Sequence, residues 1–287
     1  MQYHTATSFE NAVELAENAK GTIRFLAGGT DVLVQLRSDI VTPDILIDLK
    51  NIPGAKDINR LADGSWQIGA AVSGAQLNEH AELKADWPGL VEAMDLIGST
   101  QVQGRATLTG NLCNGSPAAD AVPAMIAANA TVTILGPTGT REAAVEDIPS
   151  GPGKTTLQEG EVIAAVNIPA QPSGGADAYL RFIPRTEMDI AVVGCAVSLV
   201  LDGSKITNAR VAIGAVAPTV RPVESAAEAL LGSTLDDTAL EALAKCVRQA
   251  CDPIDDKRGT IEYRTHVAGV LAQRAAKTAH ARARTKS

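Results

Sequence analysis

Aromatic residues make up only 3% of this chain, so a binding pocket in it must be lined mainly by aliphatic groups and backbone. Its cysteines, Cys113, Cys195, Cys246 and Cys251, are too few to staple a protein of 287 residues. Only Cys246 and Cys251 are near each other, and neither a CxxC pair nor a complete iron–sulfur run is present, so they read as simple buried or half-buried thiols. The histidines His4, His80, His266 and His280 are scattered without metal-ligand spacing, and no metal site is expected. Positive charge is also short. A formal net charge of −8 excludes a general nucleic-acid surface, so a phosphate would have to be held by local backbone dipoles. The longest apolar run, Ile190 to Leu201, is bounded by Asp189 and Asp202. It falls short of the roughly 20 residues that cross a bilayer. Met1 to Thr5 lacks the basic segment and apolar core of a signal peptide. A cytoplasmic protein with no membrane span is expected.

What is present is an ordinary globular balance, 45% hydrophobic and 20% charged, in a length that holds one large domain or two medium ones. Two glycine-rich turns about eighty residues apart are the most informative features: Leu26-Ala27-Gly28-Gly29-Thr30-Asp31 and Thr107-Leu108-Thr109-Gly110-Asn111. The first comes after an apolar run, Ile23 to Ala27, that reads as a strand, and enters Val32 to Arg37, which reads as a short helix. Such a junction aims free N–H groups and the positive end of a helix dipole at one spot. Glycine lets a ligand approach the backbone and permits turns barred to residues with a Cβ. Two such turns suit the two phosphates of a dinucleotide; each alone also reads as an ordinary tight turn.

Thr7-Ser8-Phe9-Glu10 has capping-box spacing ahead of a helix ended by Lys20-Gly21. Strands are expected at Ile45–Asp48, Trp66–Ala70, Thr131–Leu135, Arg141–Val145 and Val162–Ile168, and helices near Ala75–His80, Leu90–Ile97 and Ala121–Asn129. Gln171-Pro172-Ser173-Gly174-Gly175 is the best linker. Beyond it come strands Tyr179–Ile183, Ile190–Leu201 and Ile206–Ala215, the last two joined by the hairpin signal Asp202-Gly203-Ser204. Helical patterns then fill Val223–Leu231, Asp236–Ala250 and Glu262–Ala279, and the basic tail from Arg282 reads as a frayed helix end. Strands and then helices predict an α+β second domain.

Several motifs fail. Gly151-Pro152-Gly153-Lys154-Thr155 tempts toward a phosphate-binding P-loop, but the required earlier glycine is Ile148, and Leu157 to Ile168 reads as turn and strand rather than helix. No three-glycine dinucleotide fingerprint, GxSxG, HExxH or kinase signature occurs.

The residues gathered so far resemble the FAD-binding medium subunit of the molybdenum hydroxylase family, the carbon monoxide dehydrogenase and xanthine dehydrogenase type. Ala27 to Asp31 is similar to its AGGTD-like loop, and Arg105 to Leu112 to its R-x-T-[IL]-G-G-N-[IL] loop. Ser116-Pro117-Ala118-Ala119-Asp120, the Gly151–Thr155 and Leu157–Ile163 segments, and Arg185 to Ala191 match further family segments, in family order. One departure is Thr109, where the family has glycine. If the loop needs positive φ there, a β-branched residue strains it; alternatively the hydroxyl supplies a donor to phosphate.

The resemblance implies a two-part, non-Rossmann α/β FAD-binding domain over 1–172 and a smaller α+β domain, with antiparallel sheet and helices, over 177–287. It implies that Leu26, Ala27, Gly28, Gly29, Thr30 and Asp31, with Thr107, Leu108, Thr109, Gly110 and Asn111, hold the FAD pyrophosphate through N–H groups and the Thr30 and Thr107 hydroxyls. Asp120 would accept from flavin-side hydroxyls, its simpler reading being the N-cap of the next helix. Ile163 would lie by the cofactor through its main chain, or be a core strand residue. Arg181 would sit near the isoalloxazine, or be a solvated strand charge. The implied role is an oxidoreductase subunit that takes electrons from two [2Fe–2S] clusters of a small partner and passes them on, while a large partner carries molybdopterin, in a dimer of heterotrimers. A stand-alone FAD-dependent dehydrogenase acting on a small molecule is the alternative. No catalytic side chain of this chain's own is expected.

Overall fold

A computed structural model describes residues 1–286. The chain begins with β1 (Gln2–Thr5), α1 (Phe9–Glu17), β2 (Ile23–Leu26), α2 (Val32–Arg37) and β3 (Ile45–Asp48). These strands form a parallel sheet in the order β1-β3-β2. Its core joins Ala12 and Val13 of α1 to Ile45 and Ile47 of β3. Strand β1 is not foreseen from sequence because Gln2 to Thr5 is mostly polar and exposed. The helix cap falls one residue later than the capping-box spacing suggests: Ser8, not Thr7, accepts from the Asn11 N–H.

The next stretch contains β4 (Ile58–Arg60), β5 (Trp66–Gly69), α3 (Gly74–Glu79), α4 (Ala81–Asp86), α5 (Pro88–Asp95), α6 (Thr100–Gln103), α7 (Leu108–Cys113) and α8 (Ala121–Ala127). It continues through β6 (Thr131–Gly136), β7 (Gly139–Ala144), β8 (Pro149–Gly151), β9 (Lys154–Thr155) and β10 (Val162–Ile168). An antiparallel sheet runs β4-β5-β10-β6-β7. The Gly151–Thr155 segment is the β8–β9 hairpin, which supports rejection of the P-loop. Helix α8 is buried at every position, the mark of a helix covered on all sides. It packs on α5 and on the last sheet.

That last sheet comprises β11 (Gly175–Phe182), β12 (Val193–Asp202), β13 (Lys205–Gly214) and β14 (Arg221–Pro222), all antiparallel. Helices α9 (Glu224–Glu228), α10 (Asp237–Ala250) and α11 (Ile261–Ala283) complete the chain. Val197, Leu199 and Ile213 of the sheet share a core with Leu243, Val247 and Ala272 of the helices. The strand–strand–strand–helix order expected for the second domain is present, on top of a first part that mixes a parallel and an antiparallel sheet and is not a Rossmann fold.

Two of the contacts that tie the parts together meet at α5. Asp177 on β11, 2% exposed, accepts from the Gly89 and Leu90 N–H groups at the start of α5, at 3.0 and 3.1 Å. A Cβ on Gly89 would lie 2.8 Å from Ala178 Cα, so only glycine lets the helix end rest on the strand. In the last turn of α11, Arg282 pairs with Glu92 of α5 and donates to the Asp177 carbonyl at 2.8 Å. The basic tail is therefore a docked helix end rather than a frayed one. Among the described residues, no helix is long and apolar enough to cross a membrane, and no group of His, Cys, Asp or Glu has metal-site geometry.

Candidate functional site

The two glycine turns, distant in sequence, lie against each other. A Cβ on Gly28 would fall 2.0 Å from the Arg105 carbonyl oxygen and 3.2 Å from Ala106 Cα. Gly28 thus serves the approach of loop to loop, not only the approach of a ligand. Gly29 adopts φ +80°, and a Cβ there would also meet Leu26 Cδ1 at 2.9 Å. Leu26 is buried at the end of β2, while Ala27, Gly29 and Thr30 are half-buried and Asp31 is exposed. The Asp31 carboxylate accepts from Gln35 of α2 at 2.5 Å.

The second loop is anchored on three sides. The Gly74 N–H donates to the Ala106 carbonyl at 2.8 Å. Thr107 is the N-cap of α7, its hydroxyl accepting from the Gly110 N–H at 2.9 Å. A Cβ on Gly110 would crowd that hydroxyl at 2.9 Å. Leu108 is buried core. Thr109 sits in the helix with no positive φ, so the feared strain is absent. Its hydroxyl donates to the Ala70 carbonyl at 2.7 Å and is not available as a phosphate donor. The Thr107 hydroxyl lies 3.3 Å from that of Thr109, engaged inside the loop. The N–H groups of Gly28, Gly29, Thr30, Asp31, Leu108 and Thr109 have no acceptor among the described residues, although Gly28, Leu108 and Thr109 are themselves buried. Two helix N-termini, of α2 and α7, stand behind them. Unpaired N–H groups at helix starts are the chemistry that suits an anion, here in a protein of net negative charge.

Asn111 takes the capping role that the sequence offers to Asp120. Asp120 stands at the N-cap of α8 without making a side-chain cap. Asn111 Oδ1 makes it instead, accepting from the Ala121 N–H at 3.0 Å. The Asp120 carboxylate turns to β11, where it accepts from Tyr179 Oη at 2.8 Å and Arg181 Nη1 at 2.9 Å. Burial pushes its carboxyl up to about 6, against the opposing pull of Arg181 and Tyr179. Arg181 is no solvated strand charge; its side chain is 7% exposed. Tyr179 is not singled out by sequence, although its place two residues before Arg181 on an expected strand puts both on one face.

Ile163 is a core residue of β10, 3% exposed, paired with Ile134 of β6. A bulge comes directly after it, where the Ala164 carbonyl accepts from the Ala70 N–H at 2.9 Å. Ala70 therefore links the bulge to Thr109. The β8–β9 hairpin closes on the same region, its Gly153 N–H donating to the Gly115 carbonyl at 2.9 Å.

Comparisons with known proteins meet this geometry. Residues 1–171 match the family model described as the FAD binding domain in molybdopterin dehydrogenase, and residues 178–279 match the CO dehydrogenase flavoprotein C-terminal domain. A putative xanthine dehydrogenase FAD-binding subunit of Escherichia coli K12 is 32% identical over 274 residues, 95% of this chain and 93% of that protein. The carbon monoxide dehydrogenase medium chain of Hydrogenophaga pseudoflava is 32% identical over 281 residues, covering 98% and 97%. A crystal structure of that organism's carbon monoxide dehydrogenase contains a chain that superposes with a TM-score of 0.94 at 33% identity, covering 98% of each chain. A chain of quinoline 2-oxidoreductase from Pseudomonas putida 86 gives 0.90 at 25% identity, covering 99% of this chain and 98% of that one.

Proposed function

The chain belongs to the FAD-binding medium subunits of the molybdenum hydroxylase family, a family of oxidoreductases, and from that premise we propose that it is the electron-relaying flavoprotein of a heterotrimeric enzyme. Bound FAD supplies storage for two electrons, received from the [2Fe–2S] clusters of a small partner subunit and delivered to an external acceptor. Substrate chemistry belongs to a large molybdopterin subunit, in a cytoplasmic dimer of heterotrimers.

Each part of the chain has a task in this reading. The unpaired N–H groups of Gly28, Gly29, Thr30, Asp31, Leu108 and Thr109, with the Thr30 hydroxyl, hold the FAD pyrophosphate. Gly110 and Asn111 hold the second loop in shape, since both their N–H groups donate to Thr107 and the Asn111 side chain caps α8. The Ile163 main chain and its bulge line the cofactor's path. The ion pair of Asp120 and Arg181 joins the N-terminal and C-terminal parts, which supports a flavin end at the junction of an FAD-binding domain over 1–172 and a smaller domain over 177–287. A guanidinium there favours negative charge on the reduced ring.

The observation that carries this reading is the apposition of the two loops at Gly28 and Arg105, which gathers their unpaired N–H groups into one surface. The test is an absorption spectrum of the chain purified from its native host with whatever accompanies it, and then acid release of the cofactor. About one FAD per chain, with iron and molybdenum on companion subunits, is expected. A chain that stays colourless after incubation with FAD overturns the reading.

A further inference from the structure

We infer that Tyr179 is a positioning residue of the flavin site, its hydroxyl fixing the Arg181 guanidinium by way of the Asp120 carboxylate; the inference rests on the FAD reading above. Both oxygens of Asp120 are taken, Oδ1 by Tyr179 Oη at 2.8 Å and Oδ2 by Arg181 Nη1 at 2.9 Å. Tyr179 is 2% and Asp120 7% exposed, so neither bond competes with water. The two donors stand two residues apart on β11, on the same face. Gly194, opposite Arg181 on β12, makes room for the phenol: a Cβ there would lie 2.6 Å from Tyr179 Oη.

The arrangement is directional. Arg181 makes its ion pair with Asp120 through one edge, and none of its nitrogens is among the fully buried atoms that lack a partner. Beyond that pair the guanidinium makes no hydrogen bond among the described residues, which leaves its remaining donors for a ligand although the side chain is largely buried. Asp120 is itself held beside the second glycine loop, because Asn111 caps the first turn of α8 at Ala121. Phenol, carboxylate and guanidinium thus form a chain that ends at the cofactor surface. Without the phenol O–H, a buried carboxylate oxygen has no donor. The carboxyl then takes up a proton more readily or turns, and in either case the charge presented by Arg181 changes.

The groups facing Asp120 are Tyr179 and Arg181 of β11, and Cys195 of β12 lies beside Tyr179. Burial pushes the Cys195 thiol up to about 12 and raises the Tyr179 phenol well above its ordinary value. Of Asp120, Tyr179 and Cys195, the Asp120 carboxyl alone is shifted into the range from pH 5 to 8.

The test uses the full chain loaded with FAD. Affinity for FAD and the flavin midpoint potential are measured from pH 5 to 8 for the wild type, Tyr179→Phe and Asp120→Asn. Beside the break that ionisation of the reduced ring itself gives, the wild type is expected to show a further break in potential against pH that Asp120→Asn lacks. Tyr179→Phe, which keeps the ring, is expected to bind FAD about tenfold more weakly and to move the break upward by about one pH unit. Gly194→Ala keeps the hydroxyl but displaces it, and is expected to move the break the same way; it decides the matter if Tyr179→Phe does not fold. Wild-type affinity and an unmoved break in a folded variant overturn the inference and leave the FAD reading standing. A wild type that binds no FAD overturns both.

Discussion

At Gly28 the two loops come so close that even a methyl group does not fit, since a Cβ there would lie 2.0 Å from a backbone oxygen that cannot rotate away. Gly28→Val is therefore expected to separate the loops and reduce retained FAD to less than about a tenth of the wild type, with the far-ultraviolet circular dichroism preserved. Flavin content after gel filtration checks it, and full retention would remove the loops from the site. Both loops are legible in the sequence because glycine, threonine and an ensuing helical pattern are local signals. The bonds that give the site its shape are not local. Thr109 meets Ala70 39 residues away and Tyr179 meets Asp120 59 residues away, so nothing near Thr109 in sequence shows that its hydroxyl faces inward. Asn111 and Asp120 illustrate the same limit. Either residue type caps a helix, and only the fold decides which side chain reaches the Ala121 N–H.

The elements divide along similar lines. Strand β10 and helix α10 stand out in sequence by a continuous apolar run and by helical periodicity, and they occur within a residue of the expected bounds. Strand β1 carries no such pattern and exists because Tyr3 and its neighbours pair with β3. Strand β11 starts at Gly175, earlier than Tyr179, because Gly175 to Ala178 pair with Val200 to Val197 of β12, and Asp177 in that stretch forms the contact with α5. That contact has a titration. Burial pushes the Asp177 carboxyl up to about 7, well above its ordinary value near 4. The folded state thus holds this proton more tightly than the unfolded state. The stabilisation is complete below about pH 4 and is lost as pH rises toward 7, a change on the order of a few kcal/mol. Asp177→Asn cannot ionise and is expected to flatten this part of the stability curve, read as urea midpoints from pH 4 to 8. An unchanged slope would show that the α5 N-terminus and Arg282 offset the burial of the charge.

Across the whole molecule, the division between an N-terminal part with two sheets and a C-terminal sheet with helices is visible in sequence as a change of element order after the Gln171–Gly175 turn. What the sequence does not reveal is that the cores meet: Tyr179 and Ala196 of the last sheet belong to the same cluster as Leu90 and Met125. An electron relay whose substrate chemistry lies on another subunit has a simple signature. The FAD-loaded chain alone, mixed anaerobically with carbon monoxide or xanthine, is expected to keep its oxidised flavin spectrum and to bleach with dithionite. Bleaching by either compound without a partner would favour the stand-alone dehydrogenase. The clamp between α5 and α11 also sets the timing of folding on the ribosome. Glu92 and Arg282 are 190 residues apart, so at roughly 5–20 residues per second the start of α5 waits on the order of ten to forty seconds for its last partner to be made. For the first part of that interval, until Asp177 is made 88 residues after Gly89, the Gly89 and Leu90 N–H groups lack the carboxylate that later covers them, and throughout it the nascent N-terminal part exposes the surface on which α11 will close.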